Sequence, residues 1–297
     1  MATAARTNPT PEQLVADLML LLDLEPRGGD LFIGRKHPEG SGRVFGGQAL
    51  AQALGAARRT VPAERFTHSL HAYFLRPGSD AHPIEFRVKR DLDGRSFSNR
   101  RVVASQRGEP ILNLTASFHL PQEGLEHQNA RMPDVPPPED LRPDAEIRAE
   151  VAQHLPDGPL KTLLLRPRAI DFRSVEPRDW LHPQKRAPAA HCWFRTVAQL
   201  PDYRPIHRAI LTYASDFQLL STAMNPHGLS MHLGQLKAAS LDHAIWFHGN
   251  FRADEWLLYV TDSPWSGMSR GFGRGQIFTR DGRLVASVAQ EGMLRAV

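Results

Sequence analysis

Apolar and polar positions change their period several times along this chain, and each change marks an element. Leu14, Leu18, Leu21 and Leu22 recur at helical spacing behind Thr10-Pro11-Glu12-Gln13, which offers an N-cap, a proline at the first helical position and a reciprocal glutamine. Gly28-Gly29 is expected to end that helix. From Arg43 to Arg59 the chain is rich in Ala and Leu, with almost no charge after its glycine pair until Arg58. A helix with so little polar surface is expected to be buried nearly all round. The pattern then shortens to alternation. Strands are predicted over Ser69–Leu75, Ile84–Val88, Ser98–Ala104 and Ile111–Phe118, with a turn at Gln106–Pro110.

Residues 121–163 differ. Pro133, Pro136, Pro137, Pro138 and Pro143 lie close together among acidic residues, which predicts a linker carrying at most a short helix at Asp144–His154. Beyond it the order of the first half returns. Strands are predicted at Arg168–Arg173 and Cys192–Val197, and a helix over Ile210–Met224 opened by Ser215-Asp216. Further strands are expected at Ala239–Phe247, Trp256–Thr261, Arg274–Phe278 and Leu284–Gly292, with a hairpin turn at Arg280-Asp281-Gly282. His71–Leu75 can be laid over His243–Phe247, and Gly94–Phe97 over Gly267–Arg270. The expected organisation is therefore a first repeat with a leading helix over residues 1–120, a linker over 121–163 and a second repeat over 164–297. Each repeat is a helix wrapped by an antiparallel sheet.

Composition narrows the class. Of 297 residues, 41% are hydrophobic and 23% charged, which suits a globular core. The formal charge is +4 and nearly all cations are Arg, scattered instead of gathered on one run, so nucleic acid is not an expected partner. Pairs such as Arg58-Arg59 and Arg100-Arg101 suit either a solvated surface or a polyanionic small molecule such as CoA. The single cysteine, Cys192, excludes an internal disulfide and reads as a packed core thiol in a strand. Residues 1–10 are polar and suggest no export signal, and no stretch reaches the roughly 20 apolar residues of a membrane span, so a cytoplasmic protein without membrane insertion is expected.

Familiar catalytic signatures are missing. There is no Gly-x-Ser-x-Gly elbow, no His-Glu-x-x-His and no cysteine pair for zinc. Gly271-Phe-Gly-Arg-Gly275 lacks dinucleotide spacing and leads into a strand. Asn113-Leu-Thr115 matches a glycosylation acceptor, which carries no weight without export. Two residues stand out. Asp216 is a lone carboxylate at an apolar helix, readable as an N-cap, and Gln290 sits in a strand of small and apolar residues, readable as an exposed polar position.

Longer motifs resolve the choice. Arg43-Val-Phe-Gly-Gly-Gln-Ala-Leu50, His68–Gly78, Gly94–Val103, Tyr213-Ala-Ser-Asp216, Leu241–His248, Glu255–Tyr259 and Gln290-Glu-Gly292 together resemble the acyl-CoA thioesterase II family, in order over roughly residues 10–295. The resemblance implies an α+β double hotdog, in which each of two repeats wraps a curved antiparallel sheet around a long central helix. It implies hydrolysis of a fatty acyl-CoA by a water that Asp216, Ser240 and Gln290 activate and hold, with neither cofactor nor metal. Many relatives have Thr at the middle position, where Ser240 keeps the hydroxyl. It implies a homodimer or homotetramer. In the first repeat Gln48 and Ser117 stand roughly where Asp216 and Gln290 stand in the second, so one site per chain is expected. Two alternatives remain open: a hotdog enoyl-CoA hydratase and a non-catalytic acyl-CoA-binding module.

Overall fold

The computed structural model describes residues 9–36, 42–179 and 181–297. The polar opening on which the expectation of no export signal rests lies in part outside them. Helix α1 (Pro11–Leu22) starts as its sequence dictates: Thr10 accepts from the Gln13 amide and Gln13 reaches back to the Thr10 backbone. Val15, Leu18, Leu21 and Leu22 are buried. The helix stops at Leu22, earlier than expected. Gly28 and Gly29, with φ of +79° and +56°, instead turn a hairpin between β1 (Leu24–Pro26) and β2 (Leu31–Gly34) that the apolar pattern was too short to reveal.

Helix α2 (Gly46–Arg58) follows, then β3 (Phe66–Phe74), β4 (Ile84–Asp93), β5 (Phe97–Gln106) and β6 (Glu109–His119). Ten of the thirteen residues of α2 are buried, as its Ala-rich composition requires. The Pro-rich segment supplies α3 (Asp144–Gln153) and a further short helix, α4 (Pro159–Leu165). The second half contains β7 (Ile170–Ser174), β8 (Ala189–Thr196), α5 (Arg204–Ser215), α6 (Leu219–Met224), β9 (Leu236–Ser240), β10 (Asp242–Phe247), β11 (Leu257–Gly267), β12 (Arg270–Thr279) and β13 (Leu284–Ala296).

All strands join one antiparallel sheet in the order β1-β2-β4-β5-β6-β3-β10-β13-β12-β11-β8-β7, with β9 beside β13. The order is the same in each half, and the halves meet at β3 and β10, where Ala72 faces His243 and His71 faces Ala244. Helix α2 packs on β4, β5 and β6, α6 on β11, β12 and β13, and α5 lies along α2. The expected double hotdog is the architecture observed. One apolar cluster runs through both halves, from Leu50, Leu70 and Phe118 to Ile210, Ile245 and Val288.

Two details correct the sequence overlay. His71 is exposed on the outer face and His243 is fully buried on the inner one. Ser117 likewise lies on the outer face of β6, against His68, whereas Gln290 points inward from β13 at 2% exposure. Both overlays slip by one residue, and in a strand such a slip exchanges the faces. The arginine pairs also find their places. Arg100 is 1% exposed and bonds Thr60, Leu92, Asn99 and Asp93, while Arg58 bonds the carbonyls of Val61, Pro62 and Ala63 behind α2. Arg59 and Arg101, the other members of the two pairs, are exposed and pair with Asp23 and Asp91. Cys192 is buried as expected, and burial pushes its thiol pKa up.

Candidate active site

The predicted helix over Ile210–Met224 is broken. Helix α5 ends at Ser215, α6 begins at Leu219, and Asp216 occupies the C-cap of α5 in the break. Its carboxylate does cap a helix start, but that of α2 in the other half. Phe45, the residue before α2, supplies no side-chain cap, and Asp216 Oδ2 accepts from the Gly47 amide at 2.9 Å. The approach demands glycine. A Cβ on Gly46 would lie 2.6 Å from Asp216 Oδ2, and one on Gly47 2.4 Å from the Tyr213 carbonyl.

Gln290 and Ser240 reach the same carboxylate from the sheet. Gln290 Nε2 donates to Asp216 Oδ1 at 2.7 Å and to Ser240 Oγ at 2.9 Å, so one amide nitrogen holds the other two side chains. Ser240 arrives there because the expected strand over Ala239–Phe247 is two strands. β9 and β10 both run along β13, but Ser240 pairs with Gly292 and Ala244 with Ala289, which leaves one extra residue at Leu241. That bulge re-aims the end of β9 towards Gln290. The structure thus brings together all three residues singled out from the sequence, two of them on the rigid sheet.

Glycines in the strands let α6 close over them. Cβ atoms at Gly271, Gly273 and Gly292 would meet Leu294 and Ala223, the Leu219 carbonyl, and Leu220 respectively, all at 3.0 Å or less for the nearest atom. The Gly271-Phe-Gly-Arg-Gly275 run is therefore packing space for a helix, and its last glycine makes room for the buried Tyr259 ring. Tyr259 in turn donates to the Ser215 carbonyl at 3.0 Å, satisfying the end of α5.

Sequence reasoning missed His243. It lies at 0% exposure, with Nε2 2.9 Å from Ser215 Oγ and Nδ1 3.8 Å from Asp216 Oδ1. Ser215 Oγ also lies 3.0 Å from the Thr212 carbonyl, to which it donates. Its hydroxyl has one proton, so it accepts from His243 Nε2–H, and Nδ1 is then the unprotonated nitrogen. The overlay with exposed His71 hid this residue; the alternation of β10, which turns His243 inward with Ile245 and Phe247, was the available signal.

Electrostatics follow from burial. The Asp216 side chain is 5% exposed, and burial pushes its pKa up to about 6, against the opposing pull of the Gln290 and Gly47 hydrogen bonds. Burial pushes His243 down to about 3. Near neutral pH the group beside Asp216 is a neutral imidazole, and Asp216 titrates just below neutrality. A buried carboxylate with that pKa, two anchoring donors and a neighbouring hydroxyl can take a proton from water. Gln290 Oε1 has no hydrogen-bond partner among the described residues and is a further acceptor at the site. Gln48 stands apart: it is buried in the first turn of α2 and donates to the Arg35 carbonyl at 3.2 Å. Among the described residues there is no group of three or more His, Cys, Asp and Glu able to hold a metal ion, and no helix is long and apolar enough to cross a membrane.

Comparison with known proteins agrees with the fold. The acyl-CoA thioesterase family model matches residues 169–293, and that of the acyl-CoA thioesterase N-terminal domain matches residues 35–119. The chain is 38% identical over 282 residues to acyl-CoA thioesterase 2 of Haemophilus influenzae, covering 95% of this chain and 98% of that one. It is 37% identical to human acyl-coenzyme A thioesterase 8, over 93% and 88% of the two chains. The crystal structure of the acyl-CoA thioesterase II TesB2 from Mycobacterium marinum superposes with a TM-score of 0.76 at 40% identity, over 95% of this chain and 98% of that one. With both halves matched in order and relatives above 30% identity along nearly the whole length, the chain belongs to the acyl-CoA thioesterase family.

Proposed function

We propose that this protein hydrolyses fatty acyl-CoA to free fatty acid and CoA, with Asp216 as general base and Ser240 and Gln290 as the groups that hold the attacking water. Family membership supports the reaction class. The roles rest on one observation, the hydrogen-bonded trio in which Gln290 ties Asp216 to Ser240 at the start of α2. A thioester carbonyl is reactive enough for direct attack by an activated water, so no covalent intermediate is needed. Asp216 takes the proton as the water attacks. Ser240 Oγ, already accepting from Gln290, turns its own proton toward the water and fixes its position. The positive end of α2 faces the same spot and favours the negative charge that develops on the carbonyl oxygen. The thiolate of CoA then leaves and takes up a proton.

Release of free thiol from palmitoyl-CoA tests this reading. Wild type is expected to turn over, and Asp216→Asn to lose roughly 10²–10⁴-fold in kcat while remaining folded. A folded variant that keeps more than about a tenth of wild-type turnover rules out the general base. The hydratase reading draws on the proximity of His243 to Asp216, but a histidine at 0% exposure and bonded to Ser215 is poorly placed to touch substrate. Hydration of an enoyl-CoA in the same experiment would favour it, and tight binding without turnover would favour a binding module.

Self-association as a homodimer or homotetramer belongs to the same proposal, though not through the sheet edges. β1 is three residues long and ends in proline, and β7 lies against α3, so the two ends of the main strand order are blunted, and β9 adds only a five-residue edge beside β13. The outer face supports association better: Tyr73 is 60% exposed on β3, and Trp246, 38% exposed, stands edge-on to His71 beside it. Light scattering is expected to give a multiple of the 33.2 kDa chain, and Tyr73→Glu to shift it toward monomer. A stable monomer at micromolar concentration contradicts this. A cytoplasmic location is part of the proposal, supported by the single buried cysteine.

A further inference from the structure

The Pro-rich segment that reads as a linker builds a cavity. Helices α3 and α4 close over β7, and beneath them lie two cavities of about 250 and 270 Å³. Asp144, Arg148, Leu164, Arg168 and Phe172 line both. Arg178 enters the first, whose wall also includes Phe217 and Gln218, the two residues that follow Asp216.

Three guanidinium groups line the first cavity and share one carboxylate, Asp144, as their opposing charge. Arg148 is 6% exposed, makes no hydrogen bond to a described residue, and has a buried Nε with no partner. Arg178 Nη2 is likewise buried and unpartnered among the described residues. Arg168 stacks over the Phe217 ring at 5.4 Å. Asp144 opposes the charge of all three, but the carboxylate oxygens nearby make their hydrogen bonds to other groups. Both Asp144 oxygens bond Ser174, to its amide and its hydroxyl at 2.9 Å each, and Glu176 bonds the amide and ring of His191 at 3.0 and 2.8 Å. Burial pushes Arg168 and Arg178 down to about 10, which still leaves them charged at neutral pH. Three cations against the shared Asp144 leave an excess of positive charge in a half-enclosed site, which a bound anion would balance. The planar guanidinium fork matches the oxygens of a phosphate two at a time, and a cluster of three suits a ligand with several phosphates.

We infer that the α3–α4 cavity binds the phosphate groups at the nucleotide end of an acyl-CoA through Arg148, Arg168 and Arg178. The pantetheine arm then passes Phe217 to bring the thioester to Asp216. This rests on the thioesterase reading above and adds to it a site on the segment that joins the two repeats.

Two substrates separate the phosphate end from the thioester end. The ratio of kcat/KM for palmitoyl-CoA to that for palmitoyl-pantetheine, which lacks the nucleotide, is expected to fall at least about tenfold in Arg148→Gln and in Arg178→Gln. Calorimetry with CoA should show its Kd rising in the same variants. In wild type, inorganic pyrophosphate should compete with palmitoyl-CoA, an arm that needs no variant to fold. An unchanged ratio, an equal loss on both substrates, or pyrophosphate binding that does not compete with CoA overturns the site. If wild type binds CoA through these arginines yet hydrolyses neither substrate, the site stands and the thioesterase reading falls. If both substrates are hydrolysed and the ratio is unchanged, the thioesterase reading stands and the site falls.

Discussion

Asp216 pays for its position with stability, and the cost should be measurable. Its folded pKa, about 6, lies above the ordinary 3.8. A carboxyl group whose pKa is raised by folding imposes no penalty below pH 3.8, where folded and unfolded states are both protonated. The penalty grows as pH rises through the interval and is complete above the folded value, at roughly 3 kcal/mol for such a shift. The difference in unfolding free energy between wild type and Asp216→Asn should therefore move in favour of the variant by about that amount between roughly pH 4 and pH 7. Denaturant titrations at the two pH values check this, and a difference that stays constant removes the buried-carboxylate explanation. The same titration governs rate. His243 is neutral across this range, so kcat/KM should rise through a single inflection near pH 6 and then level. Two inflections on the acid side would mean that a second group shares the proton transfer.

At the scale of elements, the site exists because a helix start from one repeat meets a helix break from the other. Gly46→Ala tests that meeting. Alanine is the better helix former by about 1 kcal/mol in a helix interior and by less at this first position, so propensity alone predicts a small gain in stability. The new Cβ, however, stands 2.6 Å from Asp216 Oδ2 and 3.0 Å from the Phe74 ring, and one of the three must move. We expect kcat to fall at least about tenfold with far-UV circular dichroism unchanged. Unaltered turnover would show that the exact place of Asp216 matters little. The sequence foretold much of this architecture. The capping box of α1, the buried α2, the paired runs of strands and α3 were readable because each rests on a local pattern. The trio was readable only through long-motif resemblance, since Asp216 and Gln290 taken alone suit a cap and an exposed strand position. What stayed hidden depends on contacts between distant segments: the break at Asp216, the bulge at Leu241, the inward turn of His243, and the three arginines gathered by a proline-rich segment.

Across the whole molecule the two repeats and the linker read from the sequence are closely joined, and we expect the repeats to unfold together. Their sheets share the β3–β10 ladder, α2 lies along α5, Arg208 of the second half bonds the Thr67 carbonyl of the first, and one apolar cluster crosses the seam. Neither half can separate without exposing that cluster and breaking the cap that Asp216 gives α2. The tryptophans offer a direct test, because all five, at 180, 193, 246, 256 and 265, lie in the second half. Apart from Trp246, which touches His71 at the seam, their fluorescence reports that half, while far-UV circular dichroism reports both. In a cooperative molecule the two denaturation curves coincide. Ile84→Ala sharpens the test. Ile84 is 1% exposed on β4, between β2 and β5 and away from the seam, and its truncation should cost about 2–5 kcal/mol. If the repeats unfold together, the tryptophan transition must move by as much as the circular dichroism transition, although no tryptophan lies in the altered half. A tryptophan midpoint that stays in place while the first half melts early would make the repeats independent domains, and Asp216 would then lose its α2 partner before its own half unfolds.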